Sequence, residues 1–77
     1  MEMPRIDLIR TGERIRGLRK QNNISVEQLR SILGFSTVQA IYKWEKGLNL
    51  PTLDNLVVLA EIFHVSMDDI IVMERRN

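Results

Sequence analysis

Two capped helices separated by a glycine constrain this chain more than anything else in it. They occupy Ser25 to Gly47, SVEQLRSILGFSTVQAIYKWEKG. Ser25 can accept from the free amides at a helix start, and Gln28, three residues on, can reach back, which is a capping box. Val26, Leu29 and Leu33 follow at spacings of three and four and mark one helical face. Gly34 then supplies the residue that tolerates positive φ just past a helix end. The signal repeats at once. Ser36 with Gln39 reads as a second capping box, Val38, Ile41 and Trp44 or Glu45 continue at helical spacing, and Gly47 stops the run.

The rest of the chain reads as helices placed around this pair. Residues 1–6 contain Pro4 and are expected as a loose arm. Asp7 can cap a short first turn through Leu8 and Ile9, with Thr11 as an alternative cap. The main body of the first helix is expected at 12–22, with room for that extra turn before it, because Gly12 weakens a helix interior. Gly12, Ile15, Leu18 and Leu8 would face the core and Arg14, Arg16 and Lys20 would lie outside. Asn22-Asn23 ends this helix, since Asn tolerates the left-handed conformation. The next helices are expected at 26–33 and 37–46. Pro51-Thr52 opens a fourth at 53–63 with a broad apolar face of Leu53, Leu56, Val57, Leu59, Ala60 and Phe63. Ser66 with Asp69 marks a fifth at 67–72. Residues 74–77 form a charged tail. No stretch alternates with period two, so the expected fold is all-α, one five-helix domain over residues 7–73.

Composition excludes several function classes. A chain of 77 residues without Cys has no disulfide framework, thiolate metal site or cysteine nucleophile. No apolar run approaches the roughly 18 residues of a membrane span, and the N-terminus lacks the apolar core of a signal peptide, so a cytoplasmic protein is expected. The net charge is +1, but residues 1–47 carry +4 and residues 48–77 carry −3. A basic first half can attract phosphates; it also suits an ordinary solvated surface.

Helix, glycine turn and helix in so short a span is the layout of a helix-turn-helix. The order of further pieces sharpens this: Gly12-Glu13-Arg14-Ile15, Leu18-Arg19, Ser25 to Leu29, Leu33-Gly34, Ile41, Trp44-Glu45-Lys46-Gly47, Pro51-Thr52-Leu53, Val65-Ser66 and Asp69-Ile70. Together they resemble the Cro and phage-repressor-like (XRE) family over residues 12–71. The resemblance implies a lambda-repressor-like domain that binds double-stranded DNA with its third helix in the major groove. Two departures stand out. Gly34 and Gly47 are one residue further apart than in most of the family, with the extra residue in Phe35-Ser36-Thr37. Arg30 occupies a position that is usually small, often Ala, and a longer turn makes room for it.

The resemblance directs attention to Thr37, Val38, Gln39, Ala40 and Lys43 as base contacts. Gln39 can pair bidentately with adenine N6 and N7, or it can complete the cap with Ser36. Val38 can touch a thymine methyl or pack inward. Ala40 is small enough for close approach. Lys43, one turn after Gln39, can reach guanine or a phosphate. Ser25, Ser36, Tyr42, Lys46, Asn49, Arg16, Lys20 and Arg30 are candidate phosphate contacts, which position a protein without carrying sequence information. Trp44 belongs to the core. Arg19 and Glu45 match a structural pair that bridges the first and third helices in the family.

Two rival readings are weaker. An enzyme would have to use the lone His64, with no Cys, no phosphate-binding glycine loop and no second His for a metal. A protein-interaction module or antitoxin-type partner could use the apolar run Ile70-Ile71-Val72-Met73. Part of that run, with exposed residues of the fourth helix, is expected to support a homodimer. No cofactor or small-molecule ligand is indicated.

Overall fold

The computed structural model describes residues 3–75, which form five α-helices around one apolar core. They are α1 (Leu8–Gln21), α2 (Val26–Leu33), α3 (Gln39–Glu45), α4 (Leu53–Phe63) and α5 (Met67–Ile70). Ile15 and Leu18 of α1, Leu29 of α2, Ile41 and Trp44 of α3, four residues of α4 and Ile70 of α5 make the buried cluster.

The helix starts follow from their caps. Ser25 and Gln28 form the expected reciprocal box, as do Ser66 and Asp69, and Thr52 accepts from Asn55 N. Asp7 accepts from Arg10 N at 3.0 Å, so the turn that Asp7 can open before residue 12 is part of α1, which begins at Leu8. The helix runs through Gly12 because that residue faces α3. A methyl there would overlap the Trp44 carbonyl oxygen and lie 2.8 Å from that of Glu45. Close approach of two helices thus offsets the roughly 1 kcal/mol that glycine loses in a helix interior.

The end of α5 also differs from expectation. The helix stops at Ile70, and Ile71 is extended. Its successor is held by α1: Val72 N donates to the buried Thr11 Oγ1 at 3.0 Å, and Asp7 N donates to Val72 O at 2.7 Å. Arg5 and Ile6, expected in a loose arm, instead pair antiparallel with this segment. Ile6 bridges Met73, and Glu74 N donates to Arg5 O at 2.9 Å. Met1 and Glu2 of the arm, and Arg76 and Asn77 of the tail, lie outside the described residues.

The face of α4 is narrower than its sequence suggests. Leu56, Leu59, Ala60 and Phe63 are buried, but Leu53 is 70 % exposed and Val57 51 %. At 100° per residue these two lie together beyond one edge of the buried arc, next to Ala60. Leu8 is likewise an exposed residue, not a core one.

Candidate nucleic-acid interface

The third helix packs against α1, and its back is buried. Ile41 and Trp44 enter the core. The ring of Phe35, from the turn, meets Trp44 edge-on with centroids 5.7 Å apart. At the last residue of α3, Glu45 takes a two-point hydrogen bond from Arg19 of α1: Nε to Oε2 at 2.7 Å and Nη2 to Oε1 at 3.2 Å. Arg19 Nη1 donates to Ile24 O at 3.0 Å, so the guanidinium has three partners. The bonded Glu45 carboxylate raises the Arg19 pKa by more than burial lowers it. The pair thus ties the end of α3 to α1.

The turn differs from the expected one. Ser36 and Gln39 do not form a capping box. The residue before α3 is Val38, in a helical conformation with no side-chain cap, and the nearest substitute is Thr37 Oγ1, 3.4 Å from Gln39 N. α3 begins at Gln39, which leaves Ser36 three residues before the helix and outside capping reach. The turn is instead held from α2. Gly34 closes that helix at φ +74°. Arg30 O accepts from Phe35 N at 3.1 Å, and Arg30 Nη1 donates to Phe35 O at 2.6 Å. Glu27 orients the guanidinium through Nε at 2.8 Å and Nη2 at 2.7 Å. Sequence reasoning missed this grip, although an Arg at a normally small position beside a lengthened turn was its signal.

The outer surface can now be placed residue by residue. Gln39 and Lys43, one turn apart on α3, are exposed, as are Ser36 and Thr37 before them. Val38 and Ala40 are half-buried, and Ala40 packs against the core. Tyr42, Lys46 and Asn49 are exposed towards the far end of α3. Ser25 keeps a hydroxyl hydrogen to donate, because its oxygen accepts from Gln28 N at 3.0 Å. On α1, Gly12, Arg16 and Lys20 form one i, i+4 row. The row starts where α1 touches α3, and Arg16 and Lys20 are exposed along it. Arg30 differs from Arg16, Lys20, Lys43 and Lys46, since its guanidinium is committed to Phe35 and Glu27.

The helix-turn-helix profile matches residues 15–70, most of the chain. The protein belongs to the helix-turn-helix family. Its activity is sequence-specific binding of double-stranded DNA in transcription regulation. Among solved structures it is similar to the restriction-modification controller protein C.AhdI from Aeromonas hydrophila. The two share 26 % identity over 83 % of this chain and 96 % of that one, with a TM-score of 0.72. The DNA-binding domain of BldD has the same fold at 18 % identity, with a TM-score of 0.70 over 86 % of this chain and 94 % of that one. The S. venezulae BldD domain gives the same identity and TM-score over 86 % and 97 %. No curated protein matches the sequence. No helix among the described residues is long and apolar enough to cross a membrane.

Proposed function

We propose that α3 lies in the major groove with Gln39 and Lys43 towards the base edges, and that the protein acts as a homodimeric, cytoplasmic repressor. The one-sidedness of α3 carries this reading. Its back is consumed by Ile41, Trp44 and the Glu45–Arg19 pair, while the Gln39 and Lys43 side chains make no hydrogen bond or ion pair with another described residue. Because Gln39 is not spent on a cap, its amide is available for adenine N6 and N7. Thr37 and the small Ala40 border the same approach, and Val38 supplies packing more than contact. Ser25, Ser36, Tyr42, Lys46 and Asn49 surround this face as phosphate donors, with Arg16 and Lys20 on the adjoining flank.

For the homodimer the supporting surface is on α4. The apolar run at 70–73 is largely absorbed, since Ile70 is core and Val72 is bonded to Thr11. Leu53 and Val57, with Leu48 and Leu50 of the preceding loop, leave exposed apolar area that a second copy would cover. Two such domains would read half-sites about 34 Å apart. His64 serves as the left-handed cap of α4.

Selection of bound sequences from a random duplex pool tests the proposal. Enrichment of a site with two half-sites is expected, with Lys43→Ala binding that site more weakly than the parent. Equal binding by parent and variant at every salt concentration removes Lys43 from the interface. A pool without enrichment at low salt would favour a protein-interaction role. Sedimentation of a monomer both free and on the selected duplex would end the dimer reading.

A further inference from the structure

We propose that Arg30 is a positioning residue that sets the angle at which α3 meets DNA, and not a phosphate contact. The inference rests on the reading of α3 as the base-reading helix.

The end of α1 shows what such an arginine does. Arg19 O accepts from Ile24 N, five residues on, at 3.0 Å, and Arg19 Nη1 donates back to Ile24 O. Asn23 between them has φ +57°, and a carboxylate, Glu45, holds the Nε side of the guanidinium. Arg30 repeats every part. Its carbonyl accepts from Phe35 N, again five residues on, and its Nη1 donates to Phe35 O. Gly34 takes the left-handed position, and Glu27 holds the Nε side. In both places a helix ends with the residue after its left-handed turn gripped at N–H and C=O by one arginine.

The second grip matters for DNA because Phe35 couples it to α3. The Phe35 ring lies against Trp44, so the path from α2 to α3 runs Arg30, Phe35, Trp44. Besides burial of Ile41 and Trp44, α3 has one firm polar anchor, at Glu45, which is its last residue. Its first turn has no side-chain cap beyond the long Thr37 contact, and that is the turn that carries Gln39. The lengthened turn therefore depends on Arg30 for the orientation of the base-reading end. Lysine cannot replace it, because an ammonium lacks the planar fork that serves two acceptors at fixed angles.

The test uses the full chain with Arg30→Lys, Arg30→Met and Glu27→Ala, and two duplexes: the one selected by the parent and a scrambled duplex of the same length. Affinities are measured across a salt series of roughly 50 to 200 mM, a range over which phosphate contacts register strongly. Both Arg30 variants should lose affinity for the selected duplex by roughly fivefold to hundredfold, the worth of one misplaced bidentate base contact. Their slope of log affinity against log salt should match the parent's, with binding to the scrambled duplex unchanged. Glu27→Ala separates the two roles by sign. Removing an acid near phosphates raises affinity for both duplexes, whereas loosening the grip lowers the ratio of selected to scrambled binding. Trp44 gives a readout without DNA: acrylamide should quench it more readily in both Arg30 variants while far-ultraviolet circular dichroism stays native. The proposal is overturned if Arg30→Lys binds as the parent does. It is equally overturned if Arg30→Met lowers the salt slope by about 1, the mark of a lost phosphate contact, or if Trp44 quenching is unchanged. If the parent enriches no duplex, the base-reading role fails on that ground, and the quenching result still decides the grip.

Discussion

Removing one partner of the Arg19–Glu45 pair should consume much of this protein's stability margin. The side chains are 9 % and 6 % exposed, which puts the pair among buried ion pairs and not the surface ones worth about 0–1 kcal/mol. Arg19→Met strands the Glu45 carboxylate and also removes the donor to Ile24 O. Loss of one buried partner costs about 3–5 kcal/mol. A small domain is stable by about 5–15 kcal/mol, and each kcal/mol is worth roughly 4–8 °C in melting temperature at this size. Arg19→Met should therefore lower the melting temperature by at least about 12 °C. The double variant Arg19→Met with Glu45→Leu leaves no charge stranded and should recover most of the loss. The assays are thermal melts and urea unfolding, each followed by Trp44 fluorescence and circular dichroism, on the parent, both single variants and the double. A single-variant loss under about 1 kcal/mol, the range of surface pairs, or a double variant as unstable as the sum of the singles, would refute the argument that desolvation dominates here.

Three further outcomes are expected. Gly12→Ala should destabilise by about 1–3 kcal/mol in thermal melts despite alanine's better helix propensity, because its methyl meets the Trp44 and Glu45 carbonyls. His64→Gly should stabilise by about 0.5–1 kcal/mol in the same assay, since His64 caps α4 at φ +58°, where a side chain is strained. The hydrogen bond from Arg30 holds the Glu27 carboxyl below its ordinary pKa. A depressed acid stabilises the fold above its unfolded pKa and loses that contribution as pH falls through the folded one. Carboxyl-resolved NMR titration should show the Glu27 midpoint below the usual glutamate range in the parent and back within it in Arg30→Met.

The positions of most helices were legible because their starts depend on local chemistry. Ser25 with Gln28, Thr52 and Ser66 with Asp69 each cap the helix that their own neighbours continue. Ser36 with Gln39 has the same spacing, yet it does not cap. There the turn length is set by contacts far along the chain, Phe35 on Trp44 and Trp44 in the core, and capping energy of about 1 kcal/mol cannot override them. Leu53 and Val57 show a second limit. Their spacing extends the apolar face of α4, but only the neighbouring helices decide which arc is covered. Gly12 shows a related limit: it reads locally as a breaker that separates the Asp7 turn from the main helix, and its value appears only against α3.

The two arginine grips are the same motif at different burial, and that difference divides their effects. Arg19 is enclosed and bridges to another helix, so its loss falls on the folding equilibrium. The Arg30 side chain is 28 % exposed and its carboxylate partner 69 %, so water replaces the lost bonds at little expense in stability. What water cannot replace is direction. A hydrated Phe35 carbonyl no longer fixes the turn, and the first turn of α3 moves with it. Arg19→Lys should thus appear first in urea unfolding, and Arg30→Lys first in the ratio of selected to scrambled DNA binding. If Arg30→Lys instead lowers stability as far as Arg19→Lys does, the grip at the turn serves folding, and α3 is oriented from Glu45 and the core alone.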